Sequence, residues 1–453
     1  MAQSILKKQP PSARIEIEEI DESKHVVATY LAFPAGGKRG SSSRIDVVDS
    51  LQAFSSSIAG MLSSRAVLEG IGVGDSGASP TAALLLSVLQ ESMGRIATIL
   101  FAHRLGTSLE PECKMYRLAA DIFNDSAMIL DCLSPALPKP SRVVLLSCSS
   151  VLRSLCGVAA GSSKASLSAH FATQGNLGEL NAKDSSQETI ISLMGMLVGS
   201  LVVSHISSKW ATWSAMIALL AVHLGTNYLA VRAVSMRTLN RQRANLVFSN
   251  CFEQIDKELQ PKNIADQVAP IRIPTPEEIS IGERVFERDG VLRWQGGKAL
   301  GFCRIGVDLQ TILNLFGEPN QASGSYTSTQ LAEFEKLLEL YKDDEYIMWF
   351  DVPRKTFMVV LRDTATVTTQ LSAWMHALSH AQYRGVPRTQ DDKALMEDLR
   401  RSKQHVSRAC GSYGIFEQLQ KAGWDIETGA METVSGTRIK VKESNSSASA
   451  KDQ

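Results

Sequence analysis

Three side chains in RLAADIFND, residues 117–125, have the spacing and types that chemistry needs. Arg117, Asp121 and Asp125 recur at four-residue steps, so a helix would stack them on one face, with Asn124 one step round. Arg117 can pair with Asp121, and Asp125 then needs another cation or water. Two readings follow: a buried polar site for an ion or small ligand, or a lattice of salt bridges between helices. The densest polar stretch is HFATQGNLGELNAKDSSQET, residues 170–189. It gathers His170, Asn176, Glu179, Lys183, Asp184, Gln187 and Glu188 just ahead of a long apolar run. A lysine on an ordered helix beside carboxylates can clamp an anion or form a Schiff base with an aldehyde. The same residues can equally cap a helix and pair ions. His376 and His380, in WMHALSHAQ, share a helix face, but the glutamate of H-E-x-x-H is missing and no third ligand is evident. They read as two exposed histidines on an amphipathic helix, not a metal site. No Walker loop, nucleophile elbow or catalytic triad occurs, so no catalytic residue is assigned.

Those residues need helices to carry them. Apolar residues from Val47 to Leu62 recur at three- and four-residue steps, which predicts a helix running to Leu68 and Glu69. Gly72, Gly74 and Gly77 then spell G-x-G-x-x-G. A dinucleotide turn needs a strand before the glycines, and here a helix precedes them. The stretch reads as a tight turn between packed helices, with Pro80 suited to the first turn of the next one. Further helices are predicted over 80–105, 112–134, 143–160, 163–172, 181–206 and 210–250.

Two runs free of Asp, Glu, Lys and Arg, 189–208 and 210–231, flank Lys209. Each reaches the roughly 20 apolar residues that cross a bilayer, with Trp210 and Trp213 at interfacial depth. Arg232, Arg237, Arg241 and Arg243 follow and mark the inner side. Gly195 and Gly199 give the G-x-x-x-G spacing of close helix approach, to a second copy or another family member. The 189–231 hairpin is read as spanning the bilayer or as the buried centre of a bundle.

QVAPIRIPTPEE, 267–278, holds three prolines and marks a linker. Beyond it GFCRIGV (301–307), EYIMWFDV (345–352) and TFMVVLRD (356–363) read as strands, the last two as a hairpin about Pro353–Lys355. Helices are predicted over 308–316, 328–342, 366–382 and 393–422. The fold class is therefore mainly α. A multi-helix, partly membrane-embedded N-terminal domain (45–260) follows an arm and loop (1–44). A linker (261–279), a small α+β domain (280–442) and a disordered tail (443–453) complete the chain.

Lys+Arg and Asp+Glu are both 47 in 453 residues, so the basic footprint of a nucleic-acid binder is missing. The seven cysteines are scattered without a C-x-x-C pair, which points to a reducing environment and no zinc site. No apolar run follows the N-terminal lysines, so secretion is not expected.

DSLQAFSSSIAGMLSSRAVLEGIGVGD (49–75), RLAADIFNDSAMILDCLSP (117–135), the 170–189 stretch and HLGTNYLAVRAVSMRTLNRQR (223–243) together resemble the root UVB sensitive family, also called the vitamin B6 photo-protection and homoeostasis family. The resemblance covers roughly residues 45–250. It implies a membrane protein with no established enzymatic reaction. It also implies a link to vitamin B6 homeostasis, with plant relatives tied to ultraviolet-B sensing and some acting in complexes. A B6 vitamer, such as pyridoxal phosphate, is the ligand the resemblance suggests, handled or sensed without catalysis. The residues carried over as its candidate ligand set are Arg117, Asp121, Asn124, Asp125, His170, Asn176, Lys183, Gln187 and Glu188. An enzyme centred on Lys183, or a soluble helical scaffold, are the alternatives.

Overall fold

A computed structural model describes residues 15–20, 26–32, 42–72, 79–172, 176–206, 208–258, 271–317, 327–385, 392–432 and 436–440. Gly74, Asp75 and Gly77 of the opening glycine motif lie outside the described residues, as do 443–453. Within the arm, β1 (Ile15–Ile20) and β2 (Val26–Ala32) pair antiparallel, a hairpin that the sequence reading did not anticipate.

The helical half comprises α1 (Ser42–Ile71), α2 (Pro80–Leu109), α3 (Cys113–Leu133), α4 (Lys139–Phe171), α5 (Leu177–His205) and α6 (Lys209–Ala233). Ser79 caps α2 by accepting from Ala82 N, and Pro80 takes the first helical position. Short connections alternate the direction of successive helices. α3 packs on α4 and α4 on α2, while α1 lies against α3, α5 and α6. The two long apolar runs therefore do not form a closely packed hairpin; α1 lies against both.

Gly195 and Gly199 face α1 of the same chain. A Cβ at Gly195 would stand 2.7 Å from Ser57 Cβ and 2.9 Å from Phe54 O. At Gly199 it would meet Met61 Cγ at 3.1 Å and Ile58 Cα at 3.2 Å. The close approach that the spacing predicts is spent inside the molecule.

Four helices, α2, α4, α5 and α6, are long and apolar enough to cross a membrane. The sequence reading had found only the last two. Glu91 and Arg95 on α2 and Arg153 on α4 hide the others, yet Glu91 and Arg95 pair with each other and Arg153 pairs with Asp131. Leu85, Ile96, Ile99 and Leu100 on α2 and Leu193, Leu197 and Leu201 on α5 are exposed.

The predicted helix 210–250 is broken at Val234–Asn240. The carbonyl of Asn240 accepts from Ala244 N and its side chain from Arg243 N, which starts α7 (Arg241–Glu258) in a new direction. Then come α8 (Pro276–Gly282), β3 (Val291–Arg293), β4 (Ala299–Ile305), α9 (Leu309–Leu315), α10 (Ser328–Leu340), β5 (Tyr346–Asp351), β6 (Thr356–Arg362), α11 (Val367–Tyr383), α12 (Asp392–Gly411), α13 (Ile415–Lys421) and β7 (Arg438–Ile439). The strand order is β3-β4-β6-β5, with β7 beside β6. β5 and β6 form the expected antiparallel hairpin, and β4 runs parallel to β6. Gly414, at φ 56°, ends the single predicted 393–422 helix and divides it into α12 and α13.

One core holds this half together. It runs from Val247, Phe248, Phe252 and Ile255 of α7 through Ile347, Trp349 and Val359 of the sheet to Trp374 and Leu378 of α11. Trp374 Nε1 donates to Asn245 Oδ1 at 2.9 Å across that seam. The proline segment is likewise packed: Ile271 and Ile273 are buried, and Thr275 closes a capping box with Glu278. The described part of the predicted linker, 271–279, thus belongs to this core, downstream of the helix that opens it.

His376 and His380 are fully buried, not exposed. His376 takes Tyr346 Oη at 3.0 Å on Nδ1 and reaches Leu399 O at 3.0 Å and Ser402 Oγ at 2.9 Å with Nε2. Tyr346 and Ser402 thus satisfy a ring that the amphipathic pattern alone had put in water.

Candidate functional site

α3 carries Asp121 and Asp125 one turn apart, and α6 carries His223 and Asn227 one turn apart. The two helices run antiparallel, so the pairs form a ladder. His223 Nδ1 lies 2.8 Å from Asp125 Oδ1, and its Nε2 lies 3.6 Å from Asp121 Oδ2. Asn227 Nδ2 and Gln52 Nε2, the latter from α1, both donate to Asp121 Oδ2. Arg117 Nη1 stands 3.7 Å from Asp121 Oδ1. Gln52, Asp121, Asp125, His223 and Asn227 are all buried. Each nitrogen of one imidazole faces a carboxylate.

Two acceptors in this layer, Gln52 Oε1 and Asp125 Oδ2, are buried with no hydrogen-bond donor among the described residues. Buried polar atoms are normally paired, so the layer is short of donors. Further along α3, Asp131 Oδ2 accepts from Ser63 Oγ at 2.9 Å and from Arg153 Nη2.

The nine candidate residues divide sharply. Arg117, Asp121 and Asp125 meet in the layer. Asn124 is half-buried on the neighbouring face. His170 closes α4, where its carbonyl accepts from Arg237 Nη2 at 3.2 Å. Asn176 precedes α5 without a side-chain cap. Lys183 is exposed and pairs one turn back with Glu179. Gln187 is exposed too. Glu188 and Asp184 hold Lys164 of α4 at 2.9 and 2.7 Å. Asp184 and Glu188 thus tie α5 to α4, and among the described residues nothing around Lys183 shelters a Schiff base. A pyridoxal phosphate aldimine at Lys183 does not fit these surroundings.

Gln52, His223 and Asn227 were absent from the sequence-derived set. Their signal was present: two polar residues one turn apart inside an otherwise apolar run, on the face that a helix would turn inward. Among the described residues no group of His, Cys, Asp or Glu is arranged to hold a metal ion.

Comparison with known proteins bears on the helical half. Residues 46–254 match the vitamin B6 photo-protection and homoeostasis domain. RUS family member 1 of Dictyostelium discoideum is 41% identical over 241 residues, covering 52% of this chain and 43% of that protein. Protein root UVB sensitive 3 of Arabidopsis thaliana is 36% identical over 218 residues, 48% of this chain and 49% of its own length. The chain thus spans about half the length of these curated relatives. No solved structure matches it significantly.

Proposed function

With residues 46–254 forming a vitamin B6 photo-protection and homoeostasis domain, we propose that the chain is a membrane-associated, non-enzymatic protein that holds or senses a small molecule linked to vitamin B6 homeostasis. The observation that carries this reading is the buried layer of Asp121, Asp125, His223, Asn227 and Gln52, with its two unpartnered acceptors. His223 lies ten residues from the end of α6 at Ala233, about 15 Å at 1.5 Å per residue. If α6 spans a bilayer, the layer lies near mid-depth. Ionisable groups there are expensive and are retained for ligand or proton handling. The hydroxyls of a B6 vitamer, and its ring nitrogen when protonated, are donors of the kind that the layer lacks. The exposed apolar faces of α2 and α5 support the membrane part. The arginines after α6 support an inner-side location for the α+β half.

The test has two arms. Sodium-carbonate extraction should leave the native protein with the membranes. Detergent-purified protein should bind labelled pyridoxine, and Asp125→Asn with His223→Gln should weaken that binding at unchanged elution volume. Release by carbonate overturns the membrane part, and binding indifferent to both substitutions overturns the site.

A further inference from the structure

A second polar concentration lies where the base of the bundle meets the α+β half. Lys114, Arg241 and Arg243 are all buried. Glu283 pairs with both Lys114 and Arg243. Glu112 is the other enclosed carboxylate, accepting from Asn240 Nδ2 at 2.9 Å. Burial pushes the Glu112 carboxyl up from its ordinary range, against the pull of Arg243 and Arg241, so it resists ionising. Three enclosed cations therefore face at most two enclosed anions. Arg241 finds its carboxylate, Asp289 Oδ1 at 2.6 Å, on a side chain that is 65% exposed. Its Nε and Nη2, and Nε of Arg243, have no acceptor among the described residues. Buried N–H groups without an acceptor are costly unless something answers them.

Beside these groups is a cavity of about 120 Å³. Its wall carries Arg241, Arg288, Gln242 and Tyr116 and three acidic residues, Glu112, Glu287 and Asp289. Arg241 and Gln242 are the first two residues of α7, so the positive end of that helix reaches the cavity as well. Glu287, also in the wall, is already held by Arg293 through 2.8 and 2.9 Å bonds. Its negative charge is spoken for. Gly290 has φ 69°, and a Cβ there would come 2.7 Å from Cys303 O, so the loop that carries Asp289 is fixed in place.

We propose that this cavity binds a phosphate-type oxyanion, with Arg241, Arg288 and the start of α7 as its donors. The ligand chemistry is a phosphate group, whether free in solution or on a lipid headgroup at the bilayer surface. The site is separate from the layer around His223 and does not depend on that reading.

The full chain in detergent is titrated with inorganic phosphate against chloride at matched ionic strength, with thermal unfolding as readout. A saturable rise in melting temperature is expected. Arg241→Met should weaken the apparent Kd about tenfold or more, the loss of one charge-assisted bond. Arg288→Gln, on an exposed side chain whose guanidinium lies over the Phe302 ring at 4.5 Å, should weaken it too. Asp289→Asn frees Arg241 Nη1 and should tighten it. A second arm compares nanodiscs with and without phosphatidic acid. Protection in that arm alone assigns the phosphate to lipid, and protection by inorganic phosphate assigns it to a soluble ligand. No saturable protection in either arm overturns the site. So does protection that Arg288→Gln and Asp289→Asn leave unchanged.

Discussion

Asp125 of α3 and His223 of α6 meet at 2.8 Å in the interior of the bundle, 98 positions apart in the chain. Each is buried, and each loses its main partner if the other is truncated. Breaking a buried pair by removing one member typically costs about 3–5 kcal/mol, because the survivor stays charged and unpaired. The double variant His223→Ala with Asp125→Ala should therefore lower the melting temperature by less than the two single substitutions predict by addition. A double-mutant cycle in detergent measures the coupling, and strict additivity would show that the two residues do not interact.

Gly195→Ala should be much worse than Gly60→Ala. The first drives a methyl into Ser57 Cβ and the Phe54 carbonyl, which can yield only if α1 and α5 separate. Overpacking of this kind costs about 1–3 kcal/mol. The second meets nothing within 4 Å and gains helix propensity. Melting curves of both variants decide the matter; equal effects would mean that the α1–α5 contact is loose.

Leu197 is 61% exposed and Leu220 is 5% exposed, so the same substitution should fail in two ways. Arginine near the centre of a spanning helix costs about 2.5–3.5 kcal/mol on the insertion scale. Leu197→Arg, and Ile99→Arg on α2, should move protein into the carbonate-soluble or degraded pool. Leu220→Arg should instead enter membranes and misfold, because it breaks the packing of Met216 and Met128 around it. Carbonate fractionation and detergent-solubilised size exclusion separate the two outcomes. Full insertion of Ile99→Arg would remove α2 from the membrane.

Burial holds His376 down to about 3 and His380 down to about 4. Unfolded histidine protonates near about pH 6.5. Between those values the unfolded chain binds more protons than the folded one, so stability falls as pH falls. Each ring removes up to about 1.4 kcal/mol per pH unit, starting near the unfolded value. The fluorescence of Trp349 and Trp374 in denaturant titrations from neutral to acid should show this slope. His380→Gln should flatten it. A pH-independent midpoint would contradict the burial.

A fragment beginning at residue 280 omits Val247, Phe248, Cys251, Phe252 and Ile255 from the core that it needs. Expressed alone, 280–442 should aggregate. A fragment beginning near Met236 should be soluble and show a single cooperative transition. Cooperative folding of the shorter fragment would mean that α7 is dispensable to the sheet.

The sequence announced its helices more clearly than their partners. Periodicity located α1, α2, α3, α5 and the strands β4 to β6, because single elements write their own pattern, but it divided the continuous α4 into 143–160 and 163–172. What it could not supply was which faces meet. Asp121 and Asp125 were legible as one helix face, but the matching pair His223 and Asn227 lies 106 positions from its partner at the Asn227–Asp121 bond. G-x-x-x-G at Gly195 was read as close approach to a second copy or another family member, whereas α1 of the same chain stands against it, since a small residue records distance and not identity. The buried histidines at 376 and 380 were misjudged for the opposite reason. Polarity suggested water, whereas Tyr346 and Ser402 supply the hydrogen bonds from elsewhere in the chain.

The central place of α1 has a consequence for how the chain is made. Gln52 is answered by Asp121, and Asp121 also by Asn227, which leaves the ribosome 175 positions after Gln52. At about 5–20 residues per second, that is an interval of roughly 10–35 seconds. Asp121 follows Gln52 after 69 positions, but the layer that they share stays open until Asn227 arrives. The buried layer is therefore completed by its last-arriving partner, not by the helices that begin it.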